Sequence, residues 1–463
     1  MIANVRLDLG LDELCAAVDA PAGGRSALRV REGSRVVCPV SRARDGLWWV
    51  LARFGVGVGD EVLIPGFMCD TAGDAVAATG ARLVTYGLVD GTFRPSVELC
   101  RQALSSATKA LIVPHLFGIP TSLGDFADLA ERHRLLLIED SALVFPGEHD
   151  GPENYDSPAA CVVYSYNYGK PLALGWGGLV SLTPSLVERV GLPEAVPMDE
   201  EDDRFYAAAL LVGHIVLDAG RLRGVARADA GLHLLTTSGG ERRPAVPDRA
   251  AVDGVLDAAR KGPVALVAWC DTNLPSLRAA WSERLPSGID GVAERARALV
   301  ARAGGALRGP HAAEQGELLE SLRPGGYAER LLEAERRALE EGSGAQARRA
   351  LATVYASGLD GSRWLFPPAD AARYWLSYPV VCRRAVPRDR LVRRVTRHLQ
   401  VDVYPYVWPQ VLHRVSRLRR AVTAGPGSAN DALFAERLLN LPVHPQMTLE
   451  QAEALVAWLN AAV

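Results

Sequence analysis

The stretch "ALIVPHLFGIPTSLGDFADLAERHRLLLIED", Ala110 to Asp140, decides the fold class. Its two ends are short apolar runs of strand length, and the segment between them has helical spacing. The same alternation extends from Asp60 to Thr183, with further apolar runs at "EVLIPGF", "ARLVTYGL", "CVVYSY" and "GLVSLT". Strands that alternate with helices predict an α/β domain whose mostly parallel sheet is covered on both faces. Ligands bind such sheets outside the carboxyl ends of the strands.

The rest of the chain predicts two more regions, because 463 residues exceed one ordinary domain. Residues 193–324 are rich in Ala, Arg, Glu and Leu, with Gly/Pro breaks, and they predict a mostly helical insertion. The apolar positions expected to form its packing face are Leu210, Leu211, Ile215 and Leu217. Residues 325–463 predict a smaller C-terminal α+β domain, and residues 1–192 an N-terminal segment with the large domain.

Composition excludes several classes of protein. Charged residues make up 23 % of the chain and the formal net charge is −3, so no basic field supports nucleic-acid binding. The seven cysteines are scattered without a C-x-x-C pair, which favours reduced thiols over disulfides or a metal site. The first residues are too polar for a signal peptide, and no apolar run is long enough to span a bilayer. We expect a soluble, cytoplasmic protein without a membrane partner.

Asp140 and Lys170 are the strongest candidates for chemistry. Asp140 ends an apolar strand, so its carboxylate should point into the ligand crevice. Lys170 follows the next strand and precedes a loop with three glycines, Gly175, Gly177 and Gly178. A lysine and a carboxylate on neighbouring strand ends suggest pyridoxal phosphate, because the amine binds the cofactor aldehyde and the carboxylate keeps the ring nitrogen protonated. From these residues alone, a helix-capping aspartate and a solvated lysine remain the alternative.

Six segments occur in the order found in the DegT/DnrJ/EryC1/StrS family, and the chain resembles that family over roughly residues 35–190 and 325–463. They are "GVGVGDEVLIPGF", "ALIVPHLFGIP", "LLLIEDSA", "YSYNYGK", "GWGGLVSLT" and "ERLLNLPVHPQMT". Members are fold-type-I pyridoxal-phosphate enzymes, best known as sugar aminotransferases. The resemblance implies an aspartate-aminotransferase-like fold, pyridoxal 5'-phosphate as cofactor, a homodimer, and a small-molecule amino donor with a keto acceptor.

The resemblance also assigns roles by position. Lys170 resembles the Schiff-base lysine, Asp140 the partner of the pyridinium nitrogen, and Ser165 a phosphate ligand. Asn167 falls where relatives often carry a polar or aromatic residue near the cofactor. Both family-like catalytic residues, Lys170 and Asp140, are therefore retained.

A second group of expected cofactor ligands lies near residue 43. The segment "SRARDGLWWVL" replaces the family's Ser-Gly-Thr-type start of a helix. The backbone N–H groups of Ala43, Arg44 and Asp45 would then hold the cofactor phosphate at a helix N-terminus. The Arg44 guanidinium could add a charge-assisted hydrogen bond, the alternative being an ordinary surface arginine.

Several positions depart from the family pattern. Leu143 replaces the usual glutamine three residues after the aspartate, and Trp176 replaces the acidic residue of the glycine loop. Cys69 stands where an aromatic residue often stacks on the cofactor ring, so Phe67 is the residue expected to cover the ring instead. The Asn-Tyr-Arg-type motif, through which a neighbouring subunit reaches the phosphate, is not visible. These departures count against the usual nucleotide-sugar substrate.

Three functions follow from these observations. The first is an aminotransferase acting on a keto sugar or a related small ketone, which the retained Lys170 favours over the family's dehydrases. The second is a pyridoxal-phosphate lyase or carbon–carbon bond-forming enzyme, suggested by Cys69, Leu143 and Trp176. The third is a non-catalytic sensory or scaffold protein, against which Lys170 and Asp140 argue.

Overall fold

The structure is a computed structural model, and it describes residues 15, 31–40, 42–144, 155–167, 170–172, 177–193, 195–197, 204, 207–208, 211–212, 236–237, 246–247, 249–273, 321–323, 330, 343–404, 410–444 and 447–463. The alternation of strands and helices from Asp60 to Thr183 is confirmed as an α/β fold with a large, mostly parallel sheet. Within the described residues, no helix is both long and apolar enough to cross a lipid bilayer.

The central sheet has nine strands. They are β1 Arg31–Glu32, β2 Val36–Val40, β3 Glu61–Pro65, β4 Arg82–Tyr86, β5 Thr108–Pro114, β6 Leu136–Asp140, β7 Cys161–Ser165, β8 Gly178–Leu182 and β15 Val422–Thr423. Their order is β1-β2-β8-β7-β6-β5-β3-β4-β15. Strands β3 to β7 and β15 run parallel, whereas β8 runs antiparallel between β7 and β2. Strands buried on both faces explain the continuous apolar runs in the sequence.

Helices cover the sheet and build the C-terminal part. They are α1 Ala43–Phe54, α2 Asp70–Ala77, α3 Val97–Gln102, α4 Gly124–His133, α5 Pro184–Val190, α6 Arg249–Arg260, α7 Pro263–Asn273, α8 Ser343–Gly358, α9 Arg388–Leu399, α10 Ser428–Arg437 and α11 Leu449–Ala462. Local signals set several ends. Gly55 ends α1 with a φ of 92°, which L side chains rarely adopt, and Thr448 forms a capping box with Gln451 at the start of α11.

The C-terminal part contributes to two sheets. Its own antiparallel sheet contains β13 Trp364–Leu365, β14 Tyr378–Cys382 and β16 Leu438–Leu441. The sequence did not predict β15, which pairs Val422 with Leu83 at the edge of the central sheet. The C-terminal part is therefore joined to the large sheet by hydrogen bonds as well as by packing.

The expected insertion begins and ends at one place. Strand β9, Ala195–Pro197, pairs in parallel with β12, Ser321–Arg323, and both contact β2. Between them lie the short antiparallel strands β10 Thr236–Thr237 and β11 Val246–Pro247, and helices α6 and α7 pack on each other. Leu211 is fully buried, whereas Leu210, Ile215 and Leu217 lie outside the described residues.

Candidate active site

The candidate residues meet at one edge of the central sheet. Strands β6 and β7 are parallel and end at Asp140 and Ser165. Strand β8 runs the other way, so its first residue, Gly178, pairs with Ser165 at the same edge. Strand β2 also ends there, at Val40, and α1 begins three residues later at Ala43. This is the carboxyl edge at which ligands of α/β sheets bind.

Asp140 and Lys170 are electrostatically coupled. Burial raises the pKa of the Asp140 carboxyl, and the positive charge of Lys170 opposes that rise, followed by a hydrogen bond from the backbone N–H of Ala142. The Ala142 nitrogen lies 3.0 Å from Asp140 Oδ1. Lys170 is half-buried. The structure therefore brings the sequence-predicted acid and amine into one electrostatic environment.

The N-terminus of α1 faces this edge. Ala43 and Arg44 occupy its first two positions, where backbone N–H groups have no partner within the helix. The Asp45 N–H differs, because it donates to the Arg42 carbonyl at 2.9 Å. The Asp45 carboxylate also accepts two hydrogen bonds from the Arg42 guanidinium, at 2.8 and 3.2 Å. An anion at this helix end would therefore meet the N–H groups of Ala43 and Arg44 before that of Asp45.

Gly178 explains how α1 approaches the sheet so closely. A Cβ atom at this position would lie 2.6 Å from the Tyr164 carbonyl oxygen and 2.9 Å from the Ala43 nitrogen. Both distances are shorter than real Cβ contacts, so only glycine fits between β7 and the start of α1. The contact also places the α1 N-terminus beside Ser165, the expected phosphate ligand on β7.

Arg44, in the first turn of α1, interacts electrostatically with residues of α2 and of the segment before it. Burial lowers the pKa of its guanidinium, and the charge of Arg42 lowers it further, while Asp45, Asp74 and Cys69 act in the opposite direction. Arg44 is thus a half-buried cation, not a freely solvated one. Cys69 immediately precedes α2, and its Sγ lies 3.1 Å from Thr71 Oγ1.

Phe67 is the residue predicted to cover the cofactor ring. Its side chain is fully buried, with ring centroids 5.0 Å from Phe434 and 6.1 Å from Phe117. Phe67 thus belongs to an aromatic cluster, and its role beside a cofactor ring stays a prediction. Cys69 is half-exposed and contributes to the electrostatics of Arg44.

The remaining expected positions vary in exposure. Leu143 is packed in the main core, and its apolar side chain can offer no hydrogen bond to a cofactor. Asn167 is exposed, and its backbone N–H donates to Ser165 Oγ at 3.4 Å. Trp176 lies outside the described residues.

A buried polar network next to Asp140 was not predicted. Glu139 is fully buried and accepts hydrogen bonds from several side chains, one of them His115 at 2.8 Å. The sequence alone allows His115 to be either a crevice residue or a structural histidine, and the structure places it in this buried network. Successive residues of a strand point to opposite faces, so a crevice-facing Asp140 implies that Glu139 points the other way. The Glu139–Asp140 pair was therefore the sequence signal that could have predicted a buried carboxylate.

One cavity lies apart from the candidate site. A cavity of about 330 Å³ opens between the loop after β4 and the C-terminal part, lined by residues that include Val89, Arg383 and Asp431. None of the candidate cofactor residues lines it. Among the described residues, no group of three or more His, Cys, Asp or Glu side chains is arranged to hold a metal ion.

The fold is that of known aminotransferases. An aminotransferase, TlmJ, from Streptoalloteichus hindustanus superposes with a TM-score of 0.60 at 22% identity, over 100% of this chain and 98% of that chain. At this level of identity the likeness shows the fold alone. It confirms the expected aspartate-aminotransferase-like architecture.

Curated relatives share a shorter segment. The erythromycin biosynthesis sensory transduction protein EryC1 of Saccharopolyspora erythraea is 36% identical over 32% of this chain and 41% of its own length. The dTDP-3-amino-3,4,6-trideoxy-alpha-D-glucose transaminase of Streptomyces venezuelae is 32% identical over 33% of this chain and 40% of its own length. The chain thus spans about two-fifths of the length of the curated relatives that it matches.

A family model matches most of the chain. It is the model of the DegT/DnrJ/EryC1/StrS aminotransferase family, and it covers residues 27–214 and 340–460. Proteins of this family depend on pyridoxal phosphate. Together with the Asp140–Lys170 edge, this match confirms the resemblance seen in the sequence. The chain belongs to the DegT/DnrJ/EryC1/StrS aminotransferase family.

Proposed function

We propose that this protein is a pyridoxal-phosphate-dependent aminotransferase that moves an amino group from a small amino donor to a keto substrate. The observation that carries the proposal is the coupling of Lys170 with Asp140 at the carboxyl edge of the sheet. Each residue alone is commonplace on a protein surface. Their meeting at this edge, in a chain of this family, supports a working cofactor site.

The residues present fit the cofactor. The Ala43 and Arg44 N–H groups and the Ser165 hydroxyl would bind its phosphate, and Gly178 lets the start of α1 pack beside Ser165. Asp140 would hold a proton on the ring nitrogen, and Lys170 would attach the cofactor and then move a proton at the donor's α-carbon. When bound, pyridoxal phosphate supplies an electron sink for these bond changes. The half-buried Arg44 cation would add charge to the phosphate end.

Named relatives and the residues at the expected cofactor site support a substrate class. One similar protein carries the name of a dTDP-amino-sugar transaminase, and another that of an L-glutamine:2-deoxy-scyllo-inosose aminotransferase. We propose a keto sugar or a cyclic polyhydroxy ketone as acceptor for this chain. Cys69 and Leu143 leave the ring environment less polar and less aromatic than the family pattern, which argues for a changed acceptor.

An amine-transfer assay tests the proposal. Purified protein loaded with pyridoxal phosphate would be given L-glutamate or L-glutamine and a panel of keto sugars and inososes, with the Lys170→Ala variant as control. Amino product that depends on Lys170 is the expected result. Turnover of substrate without amine transfer would instead favour a lyase or a carbon–carbon bond-forming enzyme. Protein that binds no cofactor would favour a sensory or scaffold role.

A homodimer and a cytoplasmic location are also part of the proposal. Family membership supports the homodimer, and scattered cysteines without a C-x-x-C pair support a reducing compartment. Sedimentation at working concentration measures the first. A monomer with full activity would contradict the dimer.

We further propose that the chain divides at about residues 192 and 324, with a unit inserted between the two family parts. The family model leaves residues 215–339 unmatched, and β9 pairs with β12 so that the ends of the unit meet. Replacing residues 215–320 with a short Gly/Ser linker is the test. We expect weaker dimerisation or weaker substrate turnover if the unit covers the site or extends the interface. Unchanged values for both would make it a peripheral addition.

A further inference from the structure

Two carboxylates follow one another at the end of β6 and point to opposite faces. Asp140 belongs to the candidate site, whereas Glu139 is fully buried behind it. An isolated buried carboxylate would be costly unless it were paired or neutral. The surroundings of Glu139 decide which of these applies.

Four side chains donate hydrogen bonds to Glu139. His115 Nε2 lies 2.8 Å from Oε1, Ser141 Oγ 2.7 Å and Tyr155 OH 3.1 Å, while Ser157 Oγ donates to Oε2. Burial by itself would raise the pKa of Glu139, but the hydrogen bonds from His115, Ser157 and Ser141 outweigh burial and lower it. Glu139 is therefore an ionised carboxylate at neutral pH.

The direction of the His115 hydrogen bonds is fixed. The Thr121 backbone N–H donates to His115 Nδ1 at 2.9 Å, so Nδ1 must accept. The ring therefore carries its hydrogen on Nε2 and donates it to Glu139. The His115 backbone N–H also donates to the Asp140 carbonyl at 3.1 Å. One residue thus holds both the Glu139 side chain and the Asp140 main chain.

A buried cation completes the network. Arg35 is 4 % exposed, and its guanidinium donates to the carbonyls of Ser157 and Ala159 and to the hydroxyl and carbonyl of Ser181. Ser157 therefore connects Arg35 with Glu139, through its carbonyl on one side and its hydroxyl on the other. These hydrogen bonds link Glu139 on β6 to the residues before β7 and to Ser181 of β8.

We propose that Glu139 is a positioning residue for Asp140: held by His115 and three hydroxyls, it fixes the end of β6 and places a permanent negative charge behind the catalytic carboxylate. The ionised Glu139 and Asp140 carboxylates repel each other, and a protonated cofactor ring beside Asp140 would relieve that repulsion. The Glu139 charge therefore favours a proton held between Asp140 and the ring nitrogen. The inference rests on the proposed function for its use in catalysis. Its electrostatic part concerns the protein alone.

Other charged groups bear on both carboxylates. Burial raises the pKa of Asp140, the charge of Lys170 lowers it, and the charge of Glu139 raises it further. Burial is the largest influence on the pKa values of Arg35, Tyr155 and Tyr164, and the charge of Glu139 raises all three. Removing only the Glu139 charge should therefore lower the pKa of Asp140, with Lys170 and His115 still in place.

The test separates charge from shape. Glu139→Gln keeps the shape and removes the charge, whereas Tyr155→Phe keeps the charge and removes one hydrogen bond. Glu188→Gln makes the same substitution at an exposed position of α5 and serves as the control. The Asp140 carboxyl is titrated by carbon NMR in cofactor-free protein, with Asp140→Asn assigning its signal. We expect its midpoint to fall by on the order of one pH unit in Glu139→Gln, and to stay unchanged in the other two.

A second readout uses the loaded protein. With cofactor labelled at the ring nitrogen, loss of the ring proton should occur at lower pH in Glu139→Gln than in wild type. An unchanged Asp140 midpoint in Glu139→Gln, or an equal shift in Tyr155→Phe, would overturn the inference. Should Glu139→Gln not fold, His115→Leu/Glu139→Met removes the charge together with one of its four donors, and the same downward shift is expected. Failure to bind cofactor would refute the proposed function, whereas the cofactor-free titration would still decide the electrostatic role of Glu139.

Discussion

Glu139 and Asp140 are chemically alike and adjacent, yet their surroundings differ. Glu139 is fully buried among four side-chain donors, and its pKa is lowered. Asp140 is partly exposed at the crevice; among the described residues, the Ala142 N–H donates a hydrogen bond to it, and its pKa is raised. The hydrogen-bonding capacity of Glu139 is filled by other residues of the protein, whereas Asp140 retains the capacity to bind a ligand.

The comparison shows how a strand end separates stability from function. A carboxylate saturated with donors stabilises the folded protein when it is ionised. A carboxylate whose ionised form the folded state disfavours lowers the free energy of unfolding when it is ionised. Such a cost is typical of functional groups. Neutralising Asp140 should therefore lower activity without loss of stability, whereas removing Glu139 should lower the stability of the folded protein.

Lys170→Ala should have the largest effect. We expect loss of measurable amine transfer, because no other group would attach the cofactor and move the proton. The melting temperature should stay near that of wild type, since a half-buried lysine contributes little to the core. Assay and thermal unfolding measure the two outcomes. Retained turnover would remove Lys170 from the site.

Asp140→Asn should lower kcat by a factor on the order of 10²–10³ while preserving shape, because a neutral amide cannot stabilise a protonated ring nitrogen. Stability at neutral pH should not fall, since the folded state disfavours the charge that is removed. Steady-state kinetics and denaturant unfolding at pH 7 give both values. A near-normal kcat would show that another group supports the ring nitrogen.

Glu139→Ala should produce the reverse pattern in stability. It leaves the His115, Ser141, Tyr155 and Ser157 donors without their acceptor, at a cost on the order of 3–5 kcal/mol. Because the folded pKa of Glu139 is lowered, wild type gains stability from it above the unfolded pKa and loses that stability as the solution is acidified. The variant should lack this acid-dependent loss. A difference of less than about 1 kcal/mol would mean that the donors find other partners.

Asp431, in α10, supplies a fourth test with a smaller expected effect. Burial raises its pKa to about 7, and its Oδ1 accepts a hydrogen bond from the Leu88 N–H at 3.1 Å. The folded state then holds the proton more tightly than the unfolded chain, so stability should fall as pH rises from about 4 to about 7. Asp431→Asn should flatten that slope, by up to a few kcal/mol across this range. Unfolding free energies at several pH values would show an unchanged slope if the interpretation is wrong.

Local patterns were enough to predict the sheet and the two catalytic candidates. One apolar run ends at Asp140 and Lys170 lies beyond the end of the next, at Ser165; parallel strands bring these two ends to one edge. The Glu139 network could not be read this way, because Arg35, His115 and Ser157 are far apart in sequence and meet only through tertiary packing.

Packing also produces contacts that the sequence did not predict. Phe67, the residue predicted to cover the cofactor ring, packs against Phe117 and Phe434 in the folded chain. Strand β15 has two residues and pairs with a strand more than 300 residues earlier, so no local sequence pattern predicts it. Such long-range contacts lie beyond the reach of periodicity.

The most direct test of the central claim is borohydride reduction of the loaded protein followed by peptide mapping. If Lys170 and Asp140 form a pyridoxal-phosphate site, the reduced cofactor will be found on Lys170, and Lys170→Ala protein will carry no label. A label on another lysine, or no label on wild-type protein, would contradict the claim.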